Sequence, residues 1–531
     1  MAASWFTGLQ ARARALDVLA LVLVAVYSLL LLPLPFGRDQ GIYAYGGSVA
    51  LRGGILYRDA WQNPCPAIYW TYALAEALFG HRIVSIRIVE WAALLASCWL
   101  AGRVARALFG RGAGYAAMAA YALLYVPLDP WCTAQPECFA NVLGLAGLYF
   151  LVDRQGERRR WKLALAGGMF GVAVCYKMTL ALWPAALAGY LLLRHGRDKR
   201  ARGVRDSVVF CGGVLAVLAV VAGYFLAAGA WGDLVSQVGT FNIAIYRETA
   251  RYHSLFAWMR GLADGTLATL LSVNWAGFTI LATATALWLL FVRTARRAAP
   301  VLLMGATAVL AVYAQPHQWT HHWIPALPSL AILAAPVLAA TPRWLRDVRH
   351  DLRTWVVAAA VLVALGGAGW YSAMRAWDAA RVAVGLRPPT EFYERFSTYG
   401  RGDFSFVAES EVAAYLKAHS SPDDFVQVWG FEPGINFLAE RFAPTRFSMI
   451  WPFLVGPRGH PLLKEWFAEF LAEFDRRPPL YVVVVEQDYS PVQRVDSKGA
   501  LEWYPAMAER LDGGYRVETV IEHFTLYRRA D

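Results

Sequence analysis

Charge is scarce in this sequence. Only 17% of its 531 residues are charged, whereas 58% are hydrophobic, and the mean hydropathy is +0.38. Soluble globular domains carry about 25% charged residues. The shortage of charge therefore excludes an ordinary soluble protein and predicts a polytopic α-helical membrane protein.

Several common chemical signatures are also missing. The six cysteines are scattered without a C-x-x-C pair, which argues against a zinc knuckle or a dithiol redox motif. Glycine-rich nucleotide loops and the G-x-S-x-G elbow of serine hydrolases do not occur in the more charged C-terminal part. Cys65, Cys132 and Cys138 fall in predicted outer loops, where a disulfide can form, but the sequence does not determine a pairing.

Long apolar runs are what the sequence has instead. A membrane-spanning helix needs about 20 mostly apolar residues, and by that measure the chain has about eleven candidates. They lie near residues 16–36, 83–101, 113–128, 137–152, 163–175, 178–193, 207–229, 268–292, 299–315, 321–340 and 354–374. The first is expected to be an anchor, because it is too long for a cleaved signal peptide. The fifth and sixth are short and separated only by Tyr176-Lys177, which predicts a broken or re-entrant pair.

Basic residues alternate with the apolar runs. Clusters of arginine and lysine lie at 103–111, 154–162, 194–205, 293–297 and 343–353, whereas 129–136 and 316–320 contain neither residue. Basic loops stay cytoplasmic, so the N-terminus is expected inside, the loop at 37–82 outside, and the C-terminus on the outer, exoplasmic face. The net charge of +11 is then a sign of topology and not of nucleic-acid binding.

The composition divides the chain into two predicted domains. Residues 1–375 form a transmembrane domain that includes the outer loop at 37–82, and residues 376–531 form a small exoplasmic α/β domain. In the second domain, helices are expected at 409–419, 464–474 and 500–511, with strands at 424–429 and 481–485 and a strand pair at 515–527. Strands that alternate with helices over such a length are typical of an α/β domain.

The first outer loop has the richest set of polar and aromatic side chains. Asp39, Tyr43, Arg58 and Asp59 lie between two predicted membrane helices. Arginine and aromatic rings at a bilayer surface suit a phosphate carried on a lipid or sugar, and a nearby aspartate can accept a proton from a hydroxyl. The alternative is an interfacial belt of solvated charges, in which Asp39 merely caps a helix or pairs with Arg38.

Lys177 lies between two apolar runs at or near membrane depth. A charge there is costly and indicates a function, such as holding a leaving phosphate. The alternative is that the lysine side chain extends to the membrane surface.

Three histidines crowd the loop before the tenth span, at 317, 321 and 322. Imidazole suits zinc, but His321 and His322 are adjacent and are expected to point apart on a helix, so hydrogen bonding to phosphate or sugar is favoured over a metal. Asp129 and Glu137, which flank the second outer loop, are possible second acids together with Asp59. Arg87 and Glu90, three residues apart, predict an ion pair within one helix.

These motifs, taken in order, resemble the bacterial family 39 glycosyltransferases. This family includes relatives of the protein O-mannosyltransferases and of the lipid A aminoarabinose transferase, and its fold is the GT-C membrane fold. The resembling segments are Asp39-Gln40-Gly41-Ile42-Tyr43-Ala44, Leu51-Arg52-Gly53-Gly54, Tyr57-Arg58-Asp59, Asn63-Pro64-Cys65-Pro66-Ala67, Leu78-Phe79-Gly80, Tyr176-Lys177-Met178 and His321-His322-Trp323-Ile324-Pro325-Ala326-Leu327-Pro328. Two departures stand out: many relatives have Asp-Glu where this chain has Asp39-Gln40, and Cys65 interrupts a common Pro-Pro.

The resemblance implies a function. The family transfers a sugar with inversion from a polyprenyl-phosphate donor, in the bacterial inner membrane, to a lipid, glycan or protein acceptor. It implies Asp39 as the general base, with Tyr43, Arg58, Lys177, His321 and His322 on the donor side. No metal is assigned, although a divalent ion is possible. The alternative is a non-enzymatic transporter or flippase, which the clustering of polar groups at one face disfavours.

Overall fold

The structure is a computed structural model. It describes residues 2–152, 160–195, 199–249, 254–272, 275–291, 295–344, 352–398, 404–490, 492–493 and 495–530. Parts of the predicted basic loops, at 153–159, 196–198, 292–294 and 345–351, lie outside the described residues.

Helices dominate the described chain. The first nine are α1 (Ala2–Ser28), α2 (Arg38–Leu51), α3 (Ala67–Phe79), α4 (Ile83–Phe109), α5 (Arg111–Tyr125), α6 (Pro136–Val152), α7 (Arg160–Tyr176), α8 (Leu182–Leu193) and α9 (Arg200–Ala227). Next come α10 (Trp231–Leu234), a π-helix (Val235–Ile245), α11 (Leu255–Leu270), α12 (Ala276–Leu289), α13 (Ala295–Tyr313), a 3-10 helix (Thr320–Ala326), α14 (Leu327–Trp344) and α15 (Leu352–Ala383).

The remaining elements mix helices with strands. They are α16 (Pro389–Glu394), α17 (Phe406–His419), β1 (Val426–Trp429), α18 (Gly434–Ala439), α19 (Trp451–Val455), α20 (Pro461–Arg476), β2 (Tyr481–Val485), a 3-10 helix (Gly499–Trp503), α21 (Pro505–Gly514), β3 (Tyr515–Ile521) and β4 (Phe524–Arg529).

Three helical stretches in the described part of the chain are long and apolar enough to cross a bilayer. They are Ile83–Phe109, Arg200–Ala227 and Thr320–Thr341, and five shorter apolar helices accompany them. The predicted break at Lys177 is present: α7 ends at Tyr176, Lys177 has extended backbone angles, and a 3-10 turn at Met178–Ala181 leads into α8. The total of about eleven spans stays a prediction.

The chain forms two compact units. The first contains 1–33, 87–221 and 252–379, and the second contains 34–86, 222–251 and 380–531. In the first unit α5 and α12 pack on α14, α6 packs on α7, and α8 packs on α13. Gly167 on α7 lets α9 approach closely, because a Cβ at that position would lie 1.9 Å from the Phe210 carbonyl oxygen. Such small residues are characteristic of helix contacts in membranes.

The second unit contains a four-stranded sheet in the order β1-β2-β4-β3. β1 and β2 are parallel, and β4 is antiparallel to both β2 and β3. All five residues of β2 are buried, which agrees with the strand predicted at 481–485. The helix predicted at 409–419 begins earlier, at Phe406, because the Ser405 hydroxyl accepts a hydrogen bond from the Ala408 amide.

One helix prediction in this unit was wrong. Residues 500–511 were expected to form a single helix, but the structure has a 3-10 helix that ends at Trp503 and a separate helix that begins at Pro505. Proline favours the first position of a helix and lacks the amide hydrogen that a helix interior requires. The helical pattern in the sequence was continuous, but Pro505 starts a new helix.

Candidate functional site

Asp39 lies in the first turn of α2, in the second unit. The helix begins at Arg38 after Pro33 and Pro35, and Gly37 has an extended conformation at its N-cap. An acidic residue in the first turn is stabilised by the partial positive charge of the helix N-terminus. The Asp39 side chain is only partly buried, whereas its neighbours Arg38 and Gln40 are buried. The Asp39 carboxylate is thus held at the start of a helix and is partly exposed.

Gln40, the departure from the family pattern, has a structural role. Its Oε1 accepts a hydrogen bond of 3.0 Å from the Gly37 amide, which closes the helix N-terminus. Glutamate and glutamine both perform this capping role at the third helical position. Gln40 therefore keeps the helix start that a glutamate would provide, but without its charge.

Tyr43 belongs to a buried aromatic cluster one turn after Asp39. Its ring lies 6.0 Å from that of Tyr69 and 5.6 Å from that of Tyr72, in both cases edge to face. Only 5% of Tyr43 is exposed. The cluster fixes α2 against α3, so Tyr43 supports the helix that carries Asp39.

Arg58 is one of the exposed cations of this loop. It donates to Asp59 at 3.0 and 2.9 Å and to the Ala228 carbonyl at 3.3 Å. Asp59 also accepts from the Ile55 amide at 2.7 Å. Asp59, predicted as a possible second acid, thus closes a turn and orients Arg58.

Four of the predicted residues meet in the first unit. The Lys177 ammonium donates to Glu137 Oε1, and the ligand atoms of Glu137, His321 and His322 all lie within 4.8 Å of one another. The Glu137 side chain is 1% exposed and that of Lys177 is 18% exposed. Glu137 Oε2 has no hydrogen-bond partner among the described residues. The sequence alone did not pair Glu137 with Lys177.

The expectation that His321 and His322 point apart was wrong. Both lie in the 3-10 helix Thr320–Ala326 and not in a regular α-helix, and their ring centroids are 4.5 Å apart. His322 Nδ1 lies 2.9 Å from the His317 carbonyl oxygen. A carbonyl can only accept, so Nδ1 carries the hydrogen, and neutral His322 presents Nε2 as a lone pair.

This arrangement can neutralise an anion or hold a cation. Lys177 supplies a positive charge to a phosphate, and His322 donates from Nε2 only as imidazolium. Glu137, His321 and His322 also match in kind the carboxylate and imidazole ligands of a zinc-type ion, and the Glu137 Oε2 atom without a partner is a suitable ligand. The Lys177 ammonium, which is bonded to Glu137, would repel a metal cation at the same place. A bound divalent ion would supply neutralisation of phosphate charge.

A buried network leads into Glu137. The predicted Arg87–Glu90 ion pair is confirmed at 2.7 Å, with both side chains at most 1% exposed. Glu90 also accepts from the Tyr125 hydroxyl at 2.5 Å and from the Ala134 amide at 2.6 Å. These bonds fix the segment just before α6, whose first turn contains Glu137. Asp129, at the start of that segment, is exposed, and its backbone carbonyl accepts from the amides of Cys132 and Thr133.

Two buried groups were missed by the sequence analysis. Arg375 donates to the carbonyls of Val126, Pro127 and Leu128, although it lies almost 250 residues further along the chain. Arg38 donates from Nε to Glu432 Oε1 at 2.7 Å. Neither contact has a local sequence signal. Cys65, Cys132 and Cys138 form no disulfide with one another in the described part of the chain.

Residues 62–225 match the family model described as dolichyl-phosphate-mannose-protein mannosyltransferase. The matched segment is less than half of the chain. The resemblance drawn from the loop motifs is thus confirmed. The matched segment contains Glu137 and Lys177, whereas Asp39, His321 and His322 lie outside it. No curated protein matches the sequence.

The fold is the GT-C fold that the sequence predicted. The chain is similar to the crystal structure of ArnT from Cupriavidus metallidurans bound to undecaprenyl phosphate, with a TM-score of 0.60 and 15% identity over 97% of this chain and 98% of that one. The apo form of the same protein gives a TM-score of 0.60 and 14% identity, with the same coverage. The fold of this chain is therefore similar to that of ArnT along almost its full length.

Proposed function

We propose that this protein is a glycosyltransferase of the bacterial inner membrane. It moves a sugar from a polyprenyl-phosphate donor to a lipid, glycan or protein acceptor of the envelope, with inversion at the anomeric carbon. The observation that carries the proposal is the grouping of Lys177, Glu137, His321 and His322 in a chain with the GT-C fold. The family name includes a dolichyl phosphate and the similar ArnT binds undecaprenyl phosphate, which supports a lipid-phosphate donor.

The proposed topology follows the charges of the loops. About eleven helices cross the bilayer, the N-terminus is cytoplasmic, and the loop at 37–82 is exoplasmic. Residues 1–375 form the transmembrane domain and residues 376–531 an exoplasmic α/β domain. Asp39, Lys177, His321 and His322 then belong to segments that end at the outer face, where a lipid-linked donor presents its sugar.

The reaction needs one base and one anion-stabilising group. An acceptor hydroxyl oxygen attacks the anomeric carbon while the bond from that carbon to the phosphate oxygen breaks. The hydroxyl proton passes to the Asp39 carboxylate, and the bonding electrons leave with the phosphate. The lipid product is a phosphate monoester, whereas the donor is a diester, so one negative charge develops on the phosphate during the step.

Lys177, His321, His322 and Arg58 are the proposed partners of that developing charge. Lys177 and Arg58 are cations that are already in place, and they stabilise the transition state more than the ground state because the phosphate charge grows as the bond breaks. His322 donates to the phosphate only as imidazolium, because its neutral form presents a lone pair at Nε2. Glu137 orients the Lys177 ammonium through their ion pair, and Tyr43 supports α2 beneath Asp39.

The donor can be identified by comparing cells with and without the gene. Mass spectrometry of polyprenyl phosphates and envelope glycans is expected to show one polyprenyl-phosphate sugar accumulating when the gene is deleted, together with loss of one glycan modification. Unchanged lipid-linked sugars and glycans in the deletion strain would contradict the proposed activity.

The base assignment is tested by Asp39→Asn. The variant should fold normally but transfer sugar about 10²- to 10⁴-fold more slowly, which is the usual contribution of general base catalysis. Turnover is measured with purified enzyme in vesicles that contain the donor. Asp475→Asn is the matched control, because Asp475 is an exposed carboxylate paired with Arg510. Near wild-type turnover in Asp39→Asn would rule out Asp39 as the base.

A further inference from the structure

A cluster of buried acids in the second unit faces Arg38, the residue before Asp39. Arg38 is 8% exposed, Glu432 and Asp488 are 0% exposed, and Glu409 is 2% exposed. Arg38 donates to Glu432 at 2.7 Å, and its guanidinium also lies 5.5 Å from the Phe404 ring and 5.6 Å from the Phe431 ring. The first residue of the helix that carries Asp39 is thus anchored among buried acids and two aromatic rings of the C-terminal part of the chain.

The backbones in this region meet without side chains between them. A Cβ on Gly41 would lie 2.7 Å from the Gly434 amide nitrogen, so α2 contacts the start of α18 directly. A Cβ on Gly434 would in turn lie 3.0 Å from a Glu409 carboxyl oxygen. The Glu409 carboxyl, Gly434 and Gly41 therefore form one continuous stack, and Glu432 precedes Gly434 by two residues.

One protonated carboxyl leaves two carboxylates beside a single guanidinium, so the second carboxylate must be compensated by hydrogen bonds. Three buried acids face the Arg38 guanidinium among the described residues, and several uncompensated buried charges would be very costly. Asp488 is stabilised as a carboxylate, because it accepts from the Ser497 amide at 2.7 Å, the Ser497 hydroxyl at 2.6 Å and the Phe431 amide at 3.1 Å. Glu432 is paired with Arg38. The proton therefore belongs on Glu409.

Two oxygens without hydrogen-bond partners support this position for the proton. Glu409 Oε1 and Glu432 Oε2 are buried and lack a partner in the described part of the chain when both groups are ionised. One proton on Glu409 makes its carboxyl a hydrogen-bond donor, and the interacting Glu432 carboxylate offers an oxygen without a partner among the described residues. Burial and the adjacent Glu432 charge raise the pKa of Glu409 well above its usual value. Burial also raises the pKa of Glu432, to about 7, although Arg38 offsets part of this effect.

We propose that Glu432 is a positioning residue for the base Asp39, that it acts through Arg38, and that Glu409 keeps it oriented by donating a hydrogen bond from its protonated carboxyl. This role rests on the proposed function of Asp39. The C-terminal part of the chain then contributes to turnover by fixing the start of α2. Glu432 holds Arg38 in this way only at a pH where Glu432 is ionised and Glu409 is protonated. The kcat should therefore decline at both lower and higher pH.

The test compares two neutralising substitutions. Glu432→Gln removes the charge that holds Arg38, so kcat should fall by about 10²-fold, the loss expected from a displacement of roughly 1 Å, with little change in the KM for the donor. Glu409→Gln keeps a permanent hydrogen-bond donor, so kcat at neutral pH should be retained and the alkaline decline of kcat should disappear. Glu411→Gln, an exposed position on the same helix, serves as the control and should keep the wild-type pH profile.

A double variant distinguishes the positioning role of Glu432 from a purely structural one. Arg38→Gln combined with Glu432→Gln removes both buried charges, so the melting temperature should recover relative to Glu432→Gln alone while kcat stays low. Recovery of kcat together with the melting temperature would overturn the positioning role, as would wild-type kcat in Glu432→Gln. Asp39→Asn is measured in parallel. If Asp39→Asn retains turnover, the base assignment is contradicted. If Asp39→Asn loses turnover but Glu432→Gln keeps its kcat, only the positioning role is contradicted.

Discussion

Gly41→Ala adds one methyl group where α2 touches α18. The new Cβ would lie 2.7 Å from the Gly434 amide nitrogen and 2.9 Å from its Cα, whereas ordinary contact begins at 3.4 Å. Both neighbours are backbone atoms, so no side chain can rotate away. The helix must therefore shift by several tenths of an ångström, and Asp39, two residues earlier, shifts with it.

The expected change in stability is small and the change in rate is large. Alanine is favoured over glycine inside a helix by about 0.5–1 kcal/mol, whereas overpacking costs about 1–3 kcal/mol, so the free energy of unfolding falls by about 2 kcal/mol or less. Displacement of a catalytic group by about 1 Å can cost 10²-fold in rate, so kcat should fall by roughly 10- to 100-fold.

The assay measures kcat with a polyprenyl-phosphate sugar in vesicles and the melting temperature in detergent. Gly223→Ala in α9 is the matched control, since a Cβ there meets no atom within 4 Å. It should keep kcat and not lower the melting temperature. If Gly41→Ala has wild-type kcat, the close contact between α2 and α18 does not control the position of Asp39.

Two further substitutions test other contacts. Lys177→Gln leaves the buried Glu137 without its ion-pair partner and removes a proposed phosphate contact, so the melting temperature should fall and the KM for the donor should rise. The control is Lys417→Gln, in an exposed pair with Glu440, which should change neither quantity. Equal effects of the two variants would contradict the role of Lys177. Burial lowers the pKa of His81, but hydrogen bonds to Glu76 and to the Phe437 carbonyl outweigh burial and raise that pKa above 6.5. The stability that this contact adds is therefore complete below pH 6.5 and is lost as the pH rises through the raised pKa. The melting temperature of His81→Gln should therefore lie below wild type at pH 6 and approach it at alkaline pH, and a gap that widens with pH would contradict this sign.

Local features of the sequence predicted local features of the structure. The Arg87–Glu90 pair followed from a separation of three residues in a helix, and the break at Lys177 followed from two apolar runs too short to span alone. Strand β2 followed from five consecutive apolar residues. Each depends only on neighbours along the chain, where helical or strand periodicity determines which side chains can meet.

Contacts between distant residues were not predictable from one sequence. Arg38 and Glu432 are separated by 394 positions, and nothing in either local pattern selects the other as its partner. The predicted orientation of His321 and His322 was wrong because it presupposed an α-helix, whereas the segment forms a 3-10 helix before Leu327. In both cases the deciding factor was tertiary packing, which overrides local propensity.

Gln40 shows how the structure limits the mechanism. A glutamate at this position would be fully buried, because Gln40 is 0% exposed, and it would add a negative charge next to both Asp39 and Arg38. The Gln40 side-chain oxygen accepts the hydrogen bond from the Gly37 backbone amide without that charge. Arg38 therefore remains available to Glu432, and the first turn of α2 presents a single carboxylate. Two of the predicted second acids already hold a positive side chain: Asp59 pairs with Arg58, and Glu137 pairs with Lys177.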